Sequence, residues 1–490
     1  MTTQTLPIEF TQAYIGGDFV DAGTGKTFVT VAPATGEELA QVASCSAEDV
    51  DRAVAAARAA FIEGTWSAAS PADRKVTLLK LADLIEENSQ HLALLEAMDA
   101  GKTITDTTEM DIPETVATFR WYAEAIDKVF GKISPTREDS LGLIVREPVG
   151  VVAAILPWNF PAMTMAWKVA PALAAGNSVI VKPAELSPLS ALYIAELTKQ
   201  AGIPDGVFNV VTGHGSVVGQ ALGRHNDVDV LSFTGSTEVG RLLLSYSADS
   251  NLKQVILECG GKSPQIVFPD LREDLQTVAE DLAVAAFTAA GQNCTAGSRV
   301  LVHSSIADEL VDRLTEAAKT WVTGDPLDPA TRLGPLIETS AKERVLSYID
   351  GAERAGARIR AGGGRPVEET GLTVEATVID NVTPDMAVAR DEIFGPVVSV
   401  LTFDDEAEAI AIANDTDYGL AATVWTRDID LAVRVARAVK AGTVAVNGYS
   451  EGDMSTPFGG YRQSGFGGRD NGLEAFDQYT ELKTIWITLR

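Results

Sequence analysis

Residues 149–185, VGVVAAILPWNFPAMTMAWKVAPALAAGNSVIVKPAE, carry the pattern that decides the fold. Val149–Leu156 is an apolar run of strand length, Thr164–Ala175 reads as a buried helix stopped by Gly176, and Ser178–Val181 is a second short apolar run. Downstream, Ser187–Ala201 reads as a helix with Ser187 as N-cap, Pro188 at its first position and Gly202 past its end. Val207–Val211, Val228–Phe233 and Gln254–Leu257 add strands with helices between them. Alternation this regular predicts parallel strands joined by crossover helices, hence a doubly wound α/β domain. A second α/β set is expected from Gln265, with apolar runs at Val300–Val302 and Val397–Leu401.

Upstream, Ser46 and Asp49 fit a capping box, and Val50, Ala53, Val54, Ala57 and Phe61 follow at helical spacing. Another helix is expected from Pro71, with Val76, Leu79, Leu84 and Ile85 on its apolar side. Two stretches fit neither sheet. Residues 128–147 end in the apolar Leu141–Val145, and the C-terminal stretch alternates through Ile485, Ile487 and Leu489. Both read as exposed strands, paired within their own chain or covered by another subunit.

The 490 residues suggest two to four domains, and 46% apolar with 22% charged residues places the chain among folded globular proteins. Lysine and arginine number 39 against 68 acids, a net charge of −29 that would repel nucleic acid and anionic lipid. No uncharged run reaches the length of a membrane-spanning helix. Three cysteines without paired spacing, and an N-terminal stretch without a basic, then apolar, leader pattern, lead to the expectation of a reducing cytoplasm.

Cys294 lies in Gly291-Gln-Asn-Cys-Thr-Ala-Gly297, after the apolar helical stretch Leu282–Ala290. A cysteine in such a loop is either an accessible nucleophile or an inert buried thiol. Glu258 ends an apolar strand, where parallel sheets face their ligands, and reads as a desolvated base or an ordinary loop acid. His91, His214, His225 and His303 show no metal-ligand spacing, so no metal is expected. Gly213-His-Gly215-Ser-Val-Val-Gly219 has GxGxxxG spacing and fits a tight turn into a helix better than a dinucleotide fingerprint. In Phe233-Thr-Gly-Ser-Thr-Glu-Val-Gly240 a strand gives way to a helix at Gly235 and Ser236, which either bind a pyrophosphate through backbone N–H groups or simply cap. Pro157-Trp-Asn-Phe-Pro161 holds Asn159 in a rigid loop, as an oxyanion donor or as a turn residue bonded to its own backbone.

Together these segments resemble the aldehyde dehydrogenase superfamily. The signatures are PWNFP at 157–161, KPAE at 182–185, FTGSTEVG at 233–240, LECGGKSP at 257–264, GQNCTAGSR at 291–299, EIFGPV at 392–397 and PFGG at 457–460. The resemblance implies a Rossmann-like dinucleotide-binding domain (1–127 and 148–259), an α/β catalytic domain (260–472) and oligomerisation segments (128–147 and 473–490) in a homodimer or homotetramer. It implies Cys294 as nucleophile, Glu258 as the base that hydrolyses the thioester, Asn159 in the oxyanion hole and Lys168 as electrostatic support. For the cofactor it implies Trp158, Lys182, Glu185, Gly235, Ser236, Glu392 and Phe394. Glu185 suits free ribose hydroxyls and would repel a 2′-phosphate, so NAD is expected over NADP, which some relatives with this glutamate also accept.

Phe160, Met163, Trp167 and Phe458 match substrate-pocket positions, while Met163 could equally pack the core. The loop Tyr449–Met454 and the ending ELKTIWI resemble γ-glutamyl-γ-aminobutyraldehyde dehydrogenases, with Glu451 or Asp453 expected to favour a substrate amine, or else to be merely solvated. A broad-specificity aldehyde dehydrogenase, a cysteine esterase and a non-catalytic scaffold are the competing readings. Two departures stand out. Cys259 replaces the usual leucine, as a small apolar filler or a redox partner, and Ser464–Arg469 carries one extra glycine that leaves the loop path open.

Overall fold

The computed structural model describes residues 8–364 and 371–490; the opening residues read for a leader lie outside them. Five parallel strands, Gln254–Glu258, Val230–Thr234, Val151–Ile155, Ser178–Lys182 and Phe208–Val210, lie side by side in that order within an eight-stranded sheet. Val151, Ala153 and Ile155 pack on one face with the helix Ala47–Glu63, and Val152 and Ala154 on the other with Pro161–Ala175 and Leu189–Ala201. Successive side chains of a strand point to opposite faces, so an unbroken apolar run is what a doubly covered sheet requires. Ser46 and Asp49 form the expected capping box.

Some boundaries and faces differ from the sequence reading. The helix expected from Thr164 starts at Pro161, which sets Asn159 two residues ahead of its first turn. Ser187 is not an N-cap: its hydroxyl donates to the Trp158 carbonyl at 3.1 Å, and the helix starts at Leu189, whose N–H donates to the buried Asp99 carboxylate at 2.9 Å. A long-range carboxylate has displaced the local cap, a substitution that spacing along the chain does not reveal. On Pro71–Glu87 the buried stripe is Arg74, Leu78, Leu81, Ala82 and Ile85, and Val76 faces solvent. The helical run expected to reach Ala290 stops at Phe287, and Ala289 and Ala290 take left-handed φ values of 53° and 56°.

The second sheet runs Arg358–Ala361, Thr377–Asp380, Val397–Phe403, Arg299–His303, Pro264–Val267, Ala421–Trp425 and Thr443–Val446, parallel after its first pair. The two odd stretches pair with each other. Thr480–Thr488 runs antiparallel along Ser140–Pro148, with Lys132–Ser134 on the far side. Thr480–Thr488 thus has one edge paired within its own chain and leaves Ile485, Trp486 and Ile487 exposed.

The glycine-rich segment 464–469 has a defined path. Gly465–Phe466 pairs antiparallel with the end of Gln254–Glu258, placing Gly465 opposite Glu258. The eight-stranded sheet therefore takes an edge strand from the stretch 260–472, which the sequence reading assigned to the other domain. Gly465 has φ +145°, and a Cβ there would sit 2.1 Å from the Leu257 carbonyl oxygen. Gly465→Ala is expected to lift this strand away from Glu258 and to cost about 1–3 kcal/mol of backbone strain, read as a lower urea midpoint. An unchanged midpoint would contradict the tight pairing.

Candidate active site

The carboxyl ends of four adjacent strands open on one cavity of about 470 Å³, where Ile155, Lys182, Thr234 and Glu258 all reach its wall. That is where a doubly wound sheet presents its ligands, because the crossover helices diverge there. Of the residues expected at the site, Trp158, Asn159, Phe160, Met163, Trp167, Lys182, Glu185, Gly235, Ser236, Glu258, Cys294, Glu392, Phe394 and Phe458 line this cavity. Lys168 and Asp453 do not.

Cys294 is held in the loop that follows the two left-handed alanines, half-buried, and lines the cavity. Burial raises its pKa well above the usual thiol value, and the negative charges of Glu451, Glu392 and Glu258 raise it further. Asn159 is 7% exposed, and its side-chain N–H donates to the Gln292 carbonyl at 2.8 Å, tying the Pro157–Pro161 loop to the cysteine loop. The bond is to a distant backbone carbonyl rather than to its own turn.

Glu258 is 3% exposed, and neither carboxylate oxygen has a well-formed hydrogen bond, although the Gly460 N–H bears on it. Burial pushes its pKa well above the carboxylate range, Asp470 adds to the rise, and Lys168 and Arg469 oppose it. Lys168 is fully buried behind the wall in an ion pair with Asp470 at 3.0 Å. Lys168 does not line the cavity, and its charge bears on Glu258 from behind the wall. Asp470 lines the cavity and was not singled out in the sequence, where one acid among 68 gives no signal.

A bed for the loop at Asn159 is built from buried charge. Lys102 sits 3.4 Å from the centre of the Phe160 ring and pairs with Asp111 at 2.5 Å. Glu96, pushed up to about 8 by burial and then by Asp111, accepts the Ala162 N–H at 2.6 Å at the start of the following helix.

At the other end of the cavity Lys182 meets Glu185 at 2.8 Å, and the Gly215 N–H approaches the other Glu185 oxygen at 3.4 Å. Burial works to raise the pKa of Glu185, but Lys182 outweighs it and holds the carboxyl below its usual range. Gly215 belongs to the segment read as a tight turn, and it lines the cavity as well. The Gly235 N–H is not free, since it donates to the Glu258 carbonyl at 3.0 Å, so an anion here would meet Ser236 and the first turn of Thr237–Ala248. Trp158 and Phe394 meet edge to face at 5.4 Å, and Glu392, pushed up to about 7 by burial, lies folded over Gly260–Gly261, accepting the Gly261 N–H at 3.1 Å. A side chain at Gly260 would collide with that carboxylate, its Cβ 1.9 Å from Oε2. An anionic acceptor for ribose hydroxyls, a helix start and an aromatic pair in one cleft suit a dinucleotide. Arg344, unremarked in the sequence, also lines this part.

Met163 lies with Phe160, Trp167, Leu420, Met454 and Phe458 in an apolar cluster against Cys294, so it faces the cavity. Asp453 is exposed and accepts from the Ser455 N–H and hydroxyl; the acid of that loop that reaches the cavity is Glu451. Cys259 is buried beside Gly240 with its thiol pushed up to about 12, as a small apolar filler would be. All three cysteines are free. Among the described residues no group of three or more His, Cys, Asp or Glu side chains is arranged to hold a metal, and no helix is long and apolar enough to cross a membrane.

Comparison with known proteins agrees with this geometry. The aldehyde dehydrogenase family model matches residues 19–485. The chain is 53% identical to the aminoacetaldehyde dehydrogenase of Pseudomonas aeruginosa, over 97% of this chain and 95% of that protein. Among solved structures it is similar to the indole-3-acetaldehyde dehydrogenase of P. syringae, a mutant in complex with NAD+ and IAA, at 51% identity and a TM-score of 0.97, covering 99% of this chain and 98% of that one. It is also similar to the gamma-glutamyl-gamma-aminobutyraldehyde dehydrogenase of Burkholderia cenocepacia, at 52% identity and a TM-score of 0.96, covering 98% of this chain and 97% of that one. The chain belongs to the aldehyde dehydrogenase family.

Removing the anion that raises the pKa of Glu258 tests how the buried acids are coupled. Asp470→Asn is expected to move the acid limb of kcat against pH to lower values, because Lys168 then acts on Glu258 unopposed. It should also destabilise the fold by roughly 3–5 kcal/mol, the usual cost of breaking a buried pair. A limb that stays in place would show that Glu258 does not set it.

Proposed function

We propose that this enzyme oxidises an aldehyde bearing an amino or acylated amino group to its carboxylic acid, through a covalent adduct on Cys294 and with NAD preferred over NADP. One observation carries the reading: a cysteine, a buried carboxylate and an amide share one cavity whose far end holds the Lys182–Glu185 pair. Bound there, NAD(P) would supply the hydride acceptor that the oxidation needs.

The chain's own residues account for the rest. The Cys294 sulfur attacks the carbonyl carbon, and the oxygen that becomes negative is met by Asn159 and the Cys294 backbone N–H. Donors that meet charge present in the tetrahedral state, and absent from the substrate, accelerate the reaction rather than tighten binding. After oxidation the acyl group is a thioester on Cys294, and Glu258 takes a proton from the attacking water. A base for that step works best with a pKa near the working pH, which burial among Asp470 and apolar neighbours favours. The eight-stranded sheet is the dinucleotide-binding unit in this reading, and the three-stranded sheet the place where a second subunit docks, in a reducing cytoplasm. The relatives acting on aminoacetaldehyde and gamma-glutamyl-gamma-aminobutyraldehyde support the substrate class.

Initial rates read at the reduced-nicotinamide band, with aminoaldehydes, γ-glutamylaminobutanal, aliphatic and aromatic aldehydes against both cofactors, test the proposal. Aminoaldehydes or their γ-glutamyl derivative should give the highest kcat/KM, and NAD should exceed NADP by about tenfold. Cys294→Ser should lose at least about 10³-fold in rate while remaining folded. No nicotinamide reduction with any aldehyde would refute the reading.

A further inference from the structure

The carboxylate of Glu451 is embedded in the loop that carries the nucleophile. Its Oε1 accepts from Thr295 Oγ1 through a short bond, from the Tyr449 hydroxyl at 3.0 Å and from Asn293 Nδ2 at 3.4 Å. Asn293 and Thr295 are the two neighbours of Cys294 in the chain, so the carboxylate is held within a side chain's reach of the sulfur. The same three partners bond among themselves: Asn293 Nδ2 donates to the Tyr449 hydroxyl at 2.9 Å, and that hydroxyl lies 2.6 Å from Thr295 Oγ1. Glu451 is therefore a fixed wall of the cavity, unlike the exposed Asp453 two residues on.

No lysine or arginine among the described residues pairs with Glu451. Its charged neighbours are acids, Glu114 on the helix Ile112–Ala125 and Asp453 on its own loop. Of the two cations that act on Glu258, Lys168 is committed to Asp470 and Arg469 donates to the Gly468 carbonyl. The same cavity is lined by Trp167 and Phe458, tilted against each other at 5.0 Å, and Trp167 is 7% exposed with its indole N–H unpartnered. A carboxylate and aromatic faces with no competing cation are the chemistry that recognises an alkylammonium group.

We propose that Glu451 is the specificity-determining residue of this cavity, taking the ammonium group of a short aminoaldehyde whose carbonyl lies at Cys294. The assignment deepens the oxidation reading above and rests on it. Because Glu451 sits beside the sulfur, the bound ammonium also cancels part of the negative charge facing Cys294, where Glu451, Glu392 and Glu258 are all acids. A cationic aldehyde thus eases ionisation of the thiol that attacks it, and a neutral aldehyde of the same size does not.

The test compares 3-aminopropanal with butanal, which differ chiefly in the charged terminus, using wild type and Glu451→Gln with saturating NAD. Glutamine keeps an acceptor for Thr295, Tyr449 and Asn293 but removes the charge. The ratio of kcat/KM for the amino over the neutral aldehyde should fall by about tenfold or more, and propylammonium should weaken as a competitor of butanal by a similar factor. The pH midpoint for alkylation of Cys294 by iodoacetamide should move down in the variant, since one of the charges opposing the thiolate is gone. Equal losses on both aldehydes, or a midpoint that stays, would overturn the assignment and leave Glu451 a structural residue. Butanal oxidation with an unchanged ratio would sink this inference alone, whereas no nicotinamide reduction by wild type with either aldehyde would sink the reading beneath it.

Discussion

A carboxylic acid without a well-formed hydrogen bond lies at the end of a parallel strand, and its burial is the constraint around which the site is arranged. Desolvating a lone carboxylate costs several kcal/mol if it stays charged, so such a group resists ionisation. Glu258 is held in that condition by its surroundings: the sheet fixes its backbone between Thr234 and Gly465, and the Lys168–Asp470 pair lies close enough to bias its proton. The opposing signs of Lys168 and Asp470 largely cancel at a distance. Their separate effects on Glu258 survive because the medium is dry.

Keeping water away from Glu258 requires close packing at its back, and glycines provide it. A Cβ at Gly459 would lie 2.6 Å from Glu258 Oε1, and the strand at Gly465 closes over the same chain end. Ser464, fully buried, donates to the Gly260 carbonyl at 2.7 Å and accepts the Gly419 N–H at 2.9 Å, so one hydroxyl joins the strand end of the first sheet to a loop of the second. Through that joint the two sheets meet at the cleft, with Glu258 at the end of a strand of the first and Cys294 in the loop before Arg299–His303 of the second.

Much of this was legible in the chain. Apolar runs of strand length mark the doubly covered strands, because burial on both faces leaves no polar alternation, and the chemistry-bearing segments Pro157–Pro161, Glu258–Lys262 and Gly291–Gly297 stand out by residue type. What escaped depends on contacts distant in sequence. Asp470 is distinguished by its buried partner Lys168, some 300 residues away in the chain, and Asp99 replaces Ser187 as a cap from another helix. The choice between Glu451 and Asp453 turns on which side chain faces inward across an irregular loop, a matter periodicity does not address. Val76 shows the opposite error: an apolar residue at a plausible position that faces solvent.

The bed beneath Asn159 extends the site's reach into parts of the chain that hold no chemistry. Glu96 and Lys102 belong to an unremarkable helix and the turn after it, yet one fastens the helix start at Ala162 and the other underlies Phe160. Substitution at either position is therefore expected to disturb the loop that carries Asn159 as well as the fold around it. A survey of tolerated substitutions would group them with the cleft, although neither one lines it.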